Sequence, residues 1–351
     1  MNRPASVTHG PRARPGLTRI ELLAILGVCL AVVGVASPIL LSYRETSRRT
    51  ACLANQGKLA QALIAFDGQK QFIPGIRNPH PCGEVTAEAF GSVSWPVLIL
   101  PQIDRDDAYS LWTSADPSGK IATPAPPIAT FVCPAAPSSS VPQHPSLSYA
   151  GNAGIGVVRI NNINKQSKHD GVMMDTLGIR GEGSYTPMRV SVEFVSSGDG
   201  TQSTLLLSEK ASFRSAPTAS YDVSPGSLLS PDAYRPSLES WKGQAPVPAP
   251  GFGVFPADPT NREFPYITSN TMLNSDIAGN DGFYARPSSD HAGVAIAAFV
   301  DGHCVAISDK IDAQTYCQLI TSNSKSGFGQ LERNVWLKFL PEKPPAGSSY
   351  R

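Results

Sequence analysis

The chain has 351 residues, a formal net charge of +1 and only 16% charged residues. A chain of this length can bury a substantial core, and its near-neutral charge lacks the basic excess typical of nucleic-acid-binding proteins. Its 32 prolines and 30 glycines predict many turns and loops rather than a fold built from long soluble helices.

The N-terminus combines a short basic leader, residues 1–16, with a long apolar segment. One acid, Glu21, precedes the stretch from Leu22 to Leu41, which contains no charged residue. A helix rises about 1.5 Å per residue, so about twenty residues span the roughly 30 Å of a bilayer's hydrocarbon core. We therefore predict a transmembrane helix over residues 17–41. The helix fits either a processed anchor or an uncleaved signal anchor in which Glu21 is a chance acid.

The order of Gly16, Leu17, Thr18 and Glu21 before a long apolar segment resembles the signal of type IV prepilins and pseudopilins. The resemblance implies cleavage by a prepilin peptidase between Gly16 and Leu17, followed by methylation of Leu17. In that family the residue equivalent to Glu21 pairs with the N-terminal amine of a neighbouring subunit and sets the subunit register. Arg19 departs from the pattern, because pilins usually have an apolar residue there.

Residues 42–68 follow a different pattern, in which apolar residues recur at heptad-like spacing between polar ones. The recurring residues are Cys52, Leu59, Leu63 and Phe66. This spacing predicts an amphipathic helix that continues the membrane helix and ends before Gly68. A separate surface helix is the alternative.

Two segments, residues 113–146 and 214–280, are rich in Pro, Ser, Ala and Gly. Such stretches cannot form the interior of a regular sheet, so we predict long irregular insertions. Trp241, Phe252 and Phe255 would anchor a variable surface made by the second insertion. Insertions with no specific partner are the alternative.

Residues 288–308 contain the residue types of catalytic and metal sites. Ser289, Asp290 and His291 are adjacent in the chain and cannot simply adopt the geometry of a catalytic triad. Metal ligation by His291 and Asp301 is also disfavoured, because an extended link of about 3.3 Å per residue would separate them by about 33 Å.

We interpret this segment as a β-hairpin. Residues 294–300 are apolar enough for a buried strand, and residues 304–307 would return beside it. Asp301-Gly302 is a preferred sequence for a type I′ turn, which needs positive φ at both central positions. His291 would cap or hydrogen-bond the loop that leads into the hairpin.

The residues from 308 to 319 predict a short helix capped by Ser or Asp. Three side chains would face the core: Ile311, Tyr316 and Leu319. Asp309 and Asp312 suggest a calcium site, but their spacing lacks the EF-hand pattern. We therefore predict neither a cofactor nor a metal centre.

Several short motifs follow one another along the chain, beginning with an arginine-rich Cys-Asn helix around Cys52. The later motifs are Ser94–Pro101, Phe131–Pro134, Ser148–Asn152, Thr204–Glu209, and His291 followed after nine residues by Asp301-Gly302. This ordered series resembles the DUF1559 family of pilin-like proteins. It extends from Gly16 to about Phe328.

The resemblance implies an α+β, pilin-like fold. A long N-terminal helix, with a membrane half and an amphipathic half, would pack on an antiparallel sheet that ends in the hairpin. The head would cover residues 69–330, and residues 331–351 would form a C-terminal tail.

Six cysteines occur, of which Cys29 lies in the predicted membrane span and is expected to be free. The other five would lie in an exported compartment that permits disulfides. Five is an odd number, and the spacings do not determine which cysteines pair. Cys52 and Cys133 are candidates for one disulfide.

These features together predict a structural protein of the pilin or pseudopilin kind and not an enzyme. It would be a single-pass protein of the inner membrane, with its head in the periplasm or at the cell surface. Its partners would be a prepilin peptidase, the membrane, and copies of itself or other pilin-like subunits. A membrane-tethered binding protein with a pilin-type anchor is the alternative, and an exported hydrolase is a third possibility.

Overall fold

The computed structural model describes residues 18–83, 92–117, 121–136, 147–154, 158–160, 163–165, 167–169, 171–177, 186–210, 251–253, 287–311 and 313–324. Only the backbone is described at 35, 38–41, 158–160, 163–165, 251, 253, 313, 314 and 317. The leader with Gly16, the neighbouring Leu17 and the tail 331–351 lie outside these residues. The chain divides into two compact units, Met1–Ser47 and Arg48–Arg351.

Five helices are described, together with 3-10 turns at Pro101–Ile103 and Ala129–Phe131. The helices are α1 Arg19–Lys70, α2 Trp95–Leu98, α3 Asp106–Thr113, α4 Val192–Ser197 and α5 Ala313–Ile320. The strands are β1 Asn78–Pro79, β2 Ser92–Val93, β3 Tyr149–Gly154, β4 Val158–Ile160, β5 Ile163–Lys165, β6 Leu205–Glu209, β7 Gly251–Gly253, β8 Val294–Phe299 and β9 Cys304–Ser308. The described part of the chain is thus of the α+β class, as predicted.

Helix α1 begins with a reciprocal cap between Thr18 and Glu21. Thr18 donates from its backbone N and its Oγ1 to Glu21 Oε2 at 2.7 and 2.9 Å, and Glu21 N donates to Thr18 Oγ1 at 3.3 Å. This capping box satisfies backbone donors that have no partner within the helix.

The other end of α1 lies further along the chain than predicted. The helix continues past Gly68 to Lys70 and stops at Gln71, which has φ +64° and donates its backbone N to Asp67 O at 2.7 Å. The left-handed residue therefore ends the helix, while Gly68 is accommodated within it.

Within the first unit, α1 exposes a run of large apolar side chains, including Ile20, Leu23 and Leu30. All but one of the exposed large apolar side chains in the described residues belong to this helix; the exception is Leu177. Across the described residues, no helix combines the length and apolar character that crossing a membrane requires.

Within the second unit, α1 contributes to the hydrophobic core. The predicted apolar face is confirmed, because Cys52, Leu59, Leu63 and Phe66 are all buried. Gln56, on the same part of the helix, is also buried and donates its side-chain amide to Ile296 O at 2.8 Å.

The main sheet has the strand order β7–β3–β6–β8–β9. Its pairings are antiparallel except for β3 with β7, which is parallel. The predicted antiparallel sheet is thus confirmed for three of the four pairings, and β7 adds a parallel strand at one edge. Every residue of β3 and β6 is buried, which means that the middle of the sheet is covered on both faces.

Strand β7 also corrects the prediction for the second insertion. Gly251–Gly253 forms a strand instead of a loop, and Phe252 is fully buried in the core instead of anchoring a surface. The rest of residues 214–280, with Trp241 and Phe255, lies outside the described residues.

The first insertion contains more regular structure than predicted. Helix α3 includes Thr113, and a 3-10 turn ends at Phe131. The ring of Phe131 packs edge-on against Trp95, with centroids 6.2 Å apart, and both side chains are fully buried. Residues 118–120 and 137–146 lie outside the described residues.

The helix predicted after the hairpin is α5. Ile311, Tyr316 and Leu319 are buried as predicted. Ser308 Oγ accepts from Lys310 N at 3.2 Å in the loop that precedes the helix. Asp312, the other candidate for the cap, lies outside the described residues.

The predicted hairpin is formed by β8 and β9, but its turn is of a different type. Phe299 N donates to His303 O and Gly302 N donates to Phe299 O, both at 2.9 Å, so the loop has three residues. Gly302 has φ +90°, whereas Asp301 is not among the described residues with positive φ. The loop is a type I turn followed by a left-handed glycine, because the strand pair closes one residue later than a type I′ turn allows.

Replacement of Gly302 by alanine is expected to lower the free energy of unfolding by more than about 1 kcal/mol, because an L-residue is strained at this φ. Gly68→Ala is the matched control: it lies inside α1 with nothing within 4 Å of a new Cβ, and should stabilise by up to about 1 kcal/mol. Urea unfolding of both variants measures the difference. Equal effects in the two variants would contradict the assigned role of the turn.

Candidate functional site

Four side chains from distant parts of the sequence converge inside the second unit: Cys52, Cys133, Glu209 and His291. We call them the buried four-residue cluster. None is more than 4% exposed, and their ligand-type atoms all lie within 4.8 Å of one another. In a search of the described residues for His, Cys, Asp and Glu side chains close enough to share a metal ion, these four form the group that is found.

Each member is positioned by a different element. Cys52 lies on α1, and Cys133 follows the 3-10 turn that ends at Phe131. Glu209 is the last residue of β6, and His291 lies in the loop before β8. The cluster therefore connects the helix, the first insertion and the centre of the sheet.

Cys52 and Cys133 are joined as a disulfide, with their Cα atoms 5.4 Å apart and a sequence separation of 81. That Cα distance lies within the range of natural disulfides. Because both sulfurs are buried, attack by an outside thiol is hindered in the folded chain. This pattern is typical of a structural disulfide.

Both oxygens of the Glu209 carboxylate have close polar contacts. Oε2 accepts from the Ser289 hydroxyl and, at 2.9 Å, from Ile296 N. Oε1 lies 2.9 Å from Cys52 Sγ and 3.6 Å from His291 Nε2. The contact with Cys52 is a hydrogen bond only when that sulfur carries a thiol proton.

The side chain of His291 is directed into the cluster. Its Nε2 lies 3.6 Å from Cys133 Sγ, in addition to its contact with Glu209. The backbone N of His291 donates to Ser289 Oγ at 3.0 Å, so Ser289 supports two members of the cluster. The backbone O of His291 accepts from Val294 N at the start of the hairpin.

Tyr149 lies beside the cluster, because it is the cross-strand partner of Glu209. Its hydroxyl is 3.3 Å from Cys52 Sγ. Burial raises the pKa of Tyr149, so the phenol keeps its proton. Burial also lowers the pKa of the neighbouring Lys210 to about 7.

The structure separates the predicted motif residues into two places. His291 belongs to the cluster, whereas Asp301 and Gly302 form the tip of the hairpin. Asp301 Oδ1 accepts from His303 N at 3.0 Å and also contacts His303 Nδ1. The histidine and the Asp-Gly pair of this motif therefore have different roles. His291 contacts other members of the buried cluster, whereas Asp301 and Gly302 form the hairpin turn.

Asn152, at the end of the Ser148–Asn152 motif, links the sheet to α5. Its side-chain amide donates to Leu205 O and Ile320 O, both at 2.7 Å, and its Oδ1 accepts from Gly154 N at 3.0 Å. A Cβ at the adjacent Gly151 would lie 2.3 Å from Met173 Sδ, so a larger residue there would force the Met173 side chain to move. The motif is therefore a packing and bridging element.

Glu209, Ser289 and Tyr149 were not predicted as members of a shared site. Glu209 and Tyr149 each lie in one of the motifs on which the family resemblance rests. Membership of these motifs was the sequence signal that could have marked them as candidate site residues. The sequence does not show that these motifs meet.

The chain is therefore an α+β protein in which a disulfide, a carboxylate and an imidazole share one buried cluster. Residues 42–314 match the model of the DUF1559 family, whose members are described as proteins of unknown function. The chain belongs to this family. Searches among curated proteins and among solved structures each gave no significant match.

Proposed function

We propose that the chain is a pilin-like structural subunit, anchored in the inner membrane by residues 17–41 and carrying an exported head. A prepilin peptidase would cleave it after Gly16, and it would assemble with copies of itself or with other pilin-like subunits. The observation that carries the proposal is α1, which exposes apolar side chains in its N-terminal part and buries them in its C-terminal part.

The exposed apolar side chains of the first unit need a non-aqueous environment. Ile20 is 79% exposed, and Leu22, Leu23, Ile25 and Leu26 are each more than half exposed. A helix that is apolar around its whole circumference is normally buried in protein or lipid. A bilayer, or the packed helices of neighbouring subunits, would cover these side chains.

The C-terminal part of α1 supports the pilin-like arrangement of the head. Its apolar face belongs to the core, and Gln56 hydrogen-bonds the backbone of β8. The disulfide from Cys52 adds a covalent connection from the same helix to the first insertion. In this proposal α1 is the spine on which the head is built, and the cluster has a structural role with no catalysis.

The contacts of Glu21 show one role, and the prepilin resemblance implies a second. It caps α1 through Thr18, which is a role within one chain. The prepilin resemblance adds pairing of its carboxylate with the N-terminal amine of a neighbouring subunit, which is a role between chains. Glutamine can cap a helix at this position but carries no charge.

If charge pairing between subunits is the main role, we expect Glu21→Gln and Glu21→Ala to reduce assembly to the same extent, by at least about tenfold. Imaging and membrane fractionation of the native host measure assembled and retained protein. The mature N-terminus of each variant is determined by intact mass, and the proposal requires a chain that starts at a methylated Leu17.

Thr18→Ala is the matched control, because it removes the capping hydroxyl and leaves the carboxylate in place. It should cost the helix about 1 kcal/mol while assembly persists. Normal assembly of Glu21→Gln, or a mature chain that still begins upstream of Leu17, would contradict the proposal. If the wild type and all variants stay at the membrane and none of them assembles, the alternative of a membrane-tethered binding protein is favoured.

A further inference from the structure

We propose that the buried four-residue cluster, when its cysteines are reduced, binds one zinc ion. The ligands would be Cys52 Sγ, Cys133 Sγ, Glu209 Oε1 and His291 Nε2. The disulfide and the metal-bound form would be two alternative states of the same four residues. This inference does not depend on the proposed role of the chain as a pilin-like subunit.

The donor atoms match the coordination preferences of zinc. Structural zinc sites are tetrahedral and closed, with four protein ligands drawn from Cys, His and carboxylates. Two soft sulfurs and an imidazole disfavour magnesium and calcium, which prefer oxygen ligands. Four buried ligands leave no open position for a substrate, so the site would be structural.

Two of the distances within the cluster already match those of a tetrahedral site. Bonds of about 2.0–2.3 Å to zinc place neighbouring ligand atoms about 3.3–3.8 Å apart. His291 Nε2 is already 3.6 Å from both Cys133 Sγ and Glu209 Oε1. Opening the disulfide lets the two sulfurs separate, and Glu209 Oε1 must then withdraw slightly from Cys52 Sγ, which is now at 2.9 Å.

The surroundings of Glu209 orient it as metal ligands are usually oriented. The Ser289 hydroxyl and Ile296 N both bind Oε2, and this arrangement directs Oε1 towards the sulfurs and the imidazole. The hydroxyl of Tyr149 lies 3.3 Å from Cys52 Sγ, within reach of a hydrogen bond to a thiolate there. Outer hydrogen bonds of this kind fix the geometry of metal ligands and tune their affinity.

The two states interconvert by a balanced reaction. Zinc binding releases one proton from each of the two thiols, because thiolates are the ligands. Oxidation by a disulfide reagent then forms the bond between Cys52 and Cys133. The two electrons reduce the reagent to two thiols, which take up two protons, and zinc leaves as Zn²⁺. A chain made in a reducing compartment could thus hold zinc until an oxidising one replaces it with the disulfide.

The experiment uses the full chain in detergent, with the four other cysteines changed to serine in every sample: Cys29, Cys82, Cys304 and Cys317. This background is reduced or oxidised, incubated with zinc chloride, desalted and analysed for bound metal. We expect about one zinc per reduced chain and at least a tenfold lower content in the oxidised chain. Cobalt in place of zinc should give a thiolate charge-transfer band in the reduced chain alone.

His291→Gln and Glu209→Gln test the other two ligands, and each should weaken zinc binding at least about tenfold. Asp301→Asn is the matched control, because this carboxylate lies in the hairpin turn outside the cluster, and its zinc affinity should be unchanged. Circular dichroism checks that each sample is folded. Equal zinc contents in the reduced and oxidised chains, or a folded reduced chain that binds no zinc, would overturn the proposal.

Discussion

Loss of the disulfide between Cys52 and Cys133 is expected to lower the free energy of unfolding by about 4–5 kcal/mol. The bond joins residues separated by 81 positions, and a cross-link that closes a loop of this length removes that much conformational freedom from the unfolded chain. The effect should be large because it equals a substantial part of the stability of an ordinary domain.

The double variant Cys52→Ala, Cys133→Ala measures this directly when its urea unfolding is compared with that of the oxidised wild type. Replacing both cysteines avoids leaving one unpaired thiol, which could form a non-native disulfide with another cysteine. Cys304→Ala is the control, because Cys304 is a free, partly buried cysteine. Its replacement should cost less than about 1.5 kcal/mol.

Reduction of the wild type without mutation gives an independent check. If the cross-link stabilises through the unfolded chain, the metal-free reduced protein should resemble the double variant in its denaturation midpoint. A double variant as stable as the oxidised wild type would show that the two cysteines contribute nothing through their bond. Zinc added to the reduced wild type should restore part of the stability if the cluster binds it.

The features that the sequence predicted well are those set by local periodicity. The heptad-like spacing of Cys52, Leu59, Leu63 and Phe66 predicted which face of α1 is buried, because helical side chains three, four or seven positions apart share a face. The predicted strand–turn–strand order of the hairpin is also confirmed, because a short apolar run followed by Asp-Gly is likewise a local signal. Its turn type was wrong, because Asp-Gly suits several turns and the pairing of Phe299 with His303 decides among them.

The features that the sequence could not predict depend on long-range contacts. β7 is a three-residue strand inside a long insertion, and its parallel pairing with β3 leaves no local signal. Glu209 is the last residue of the otherwise uncharged strand β6, and a glutamate at a strand end would ordinarily be expected at the surface. Only the fold brings it to Cys52, 157 positions earlier in the chain.

Replacement of Glu209 by alanine is expected to lower the free energy of unfolding by about 3–5 kcal/mol. The carboxylate accepts hydrogen bonds from the Ser289 hydroxyl and from Ile296 N inside the core. Without it, both donors remain buried and lack this acceptor, at a cost of about 1–3 kcal/mol each. The truncated side chain also leaves a cavity beside the disulfide.

Glu193→Ala is the matched control, because Glu193 is an exposed acid in the first turn of α4, and its loss should change stability by no more than about 0.5 kcal/mol. Combining Glu209→Ala with Ser289→Ala makes a double-mutant cycle. The two losses should be strongly non-additive, since removing Ser289 also removes one of the donors that Glu209 satisfies. Simple additivity, or a loss below about 1 kcal/mol for Glu209→Ala, would mean that this carboxylate does not hold the cluster together.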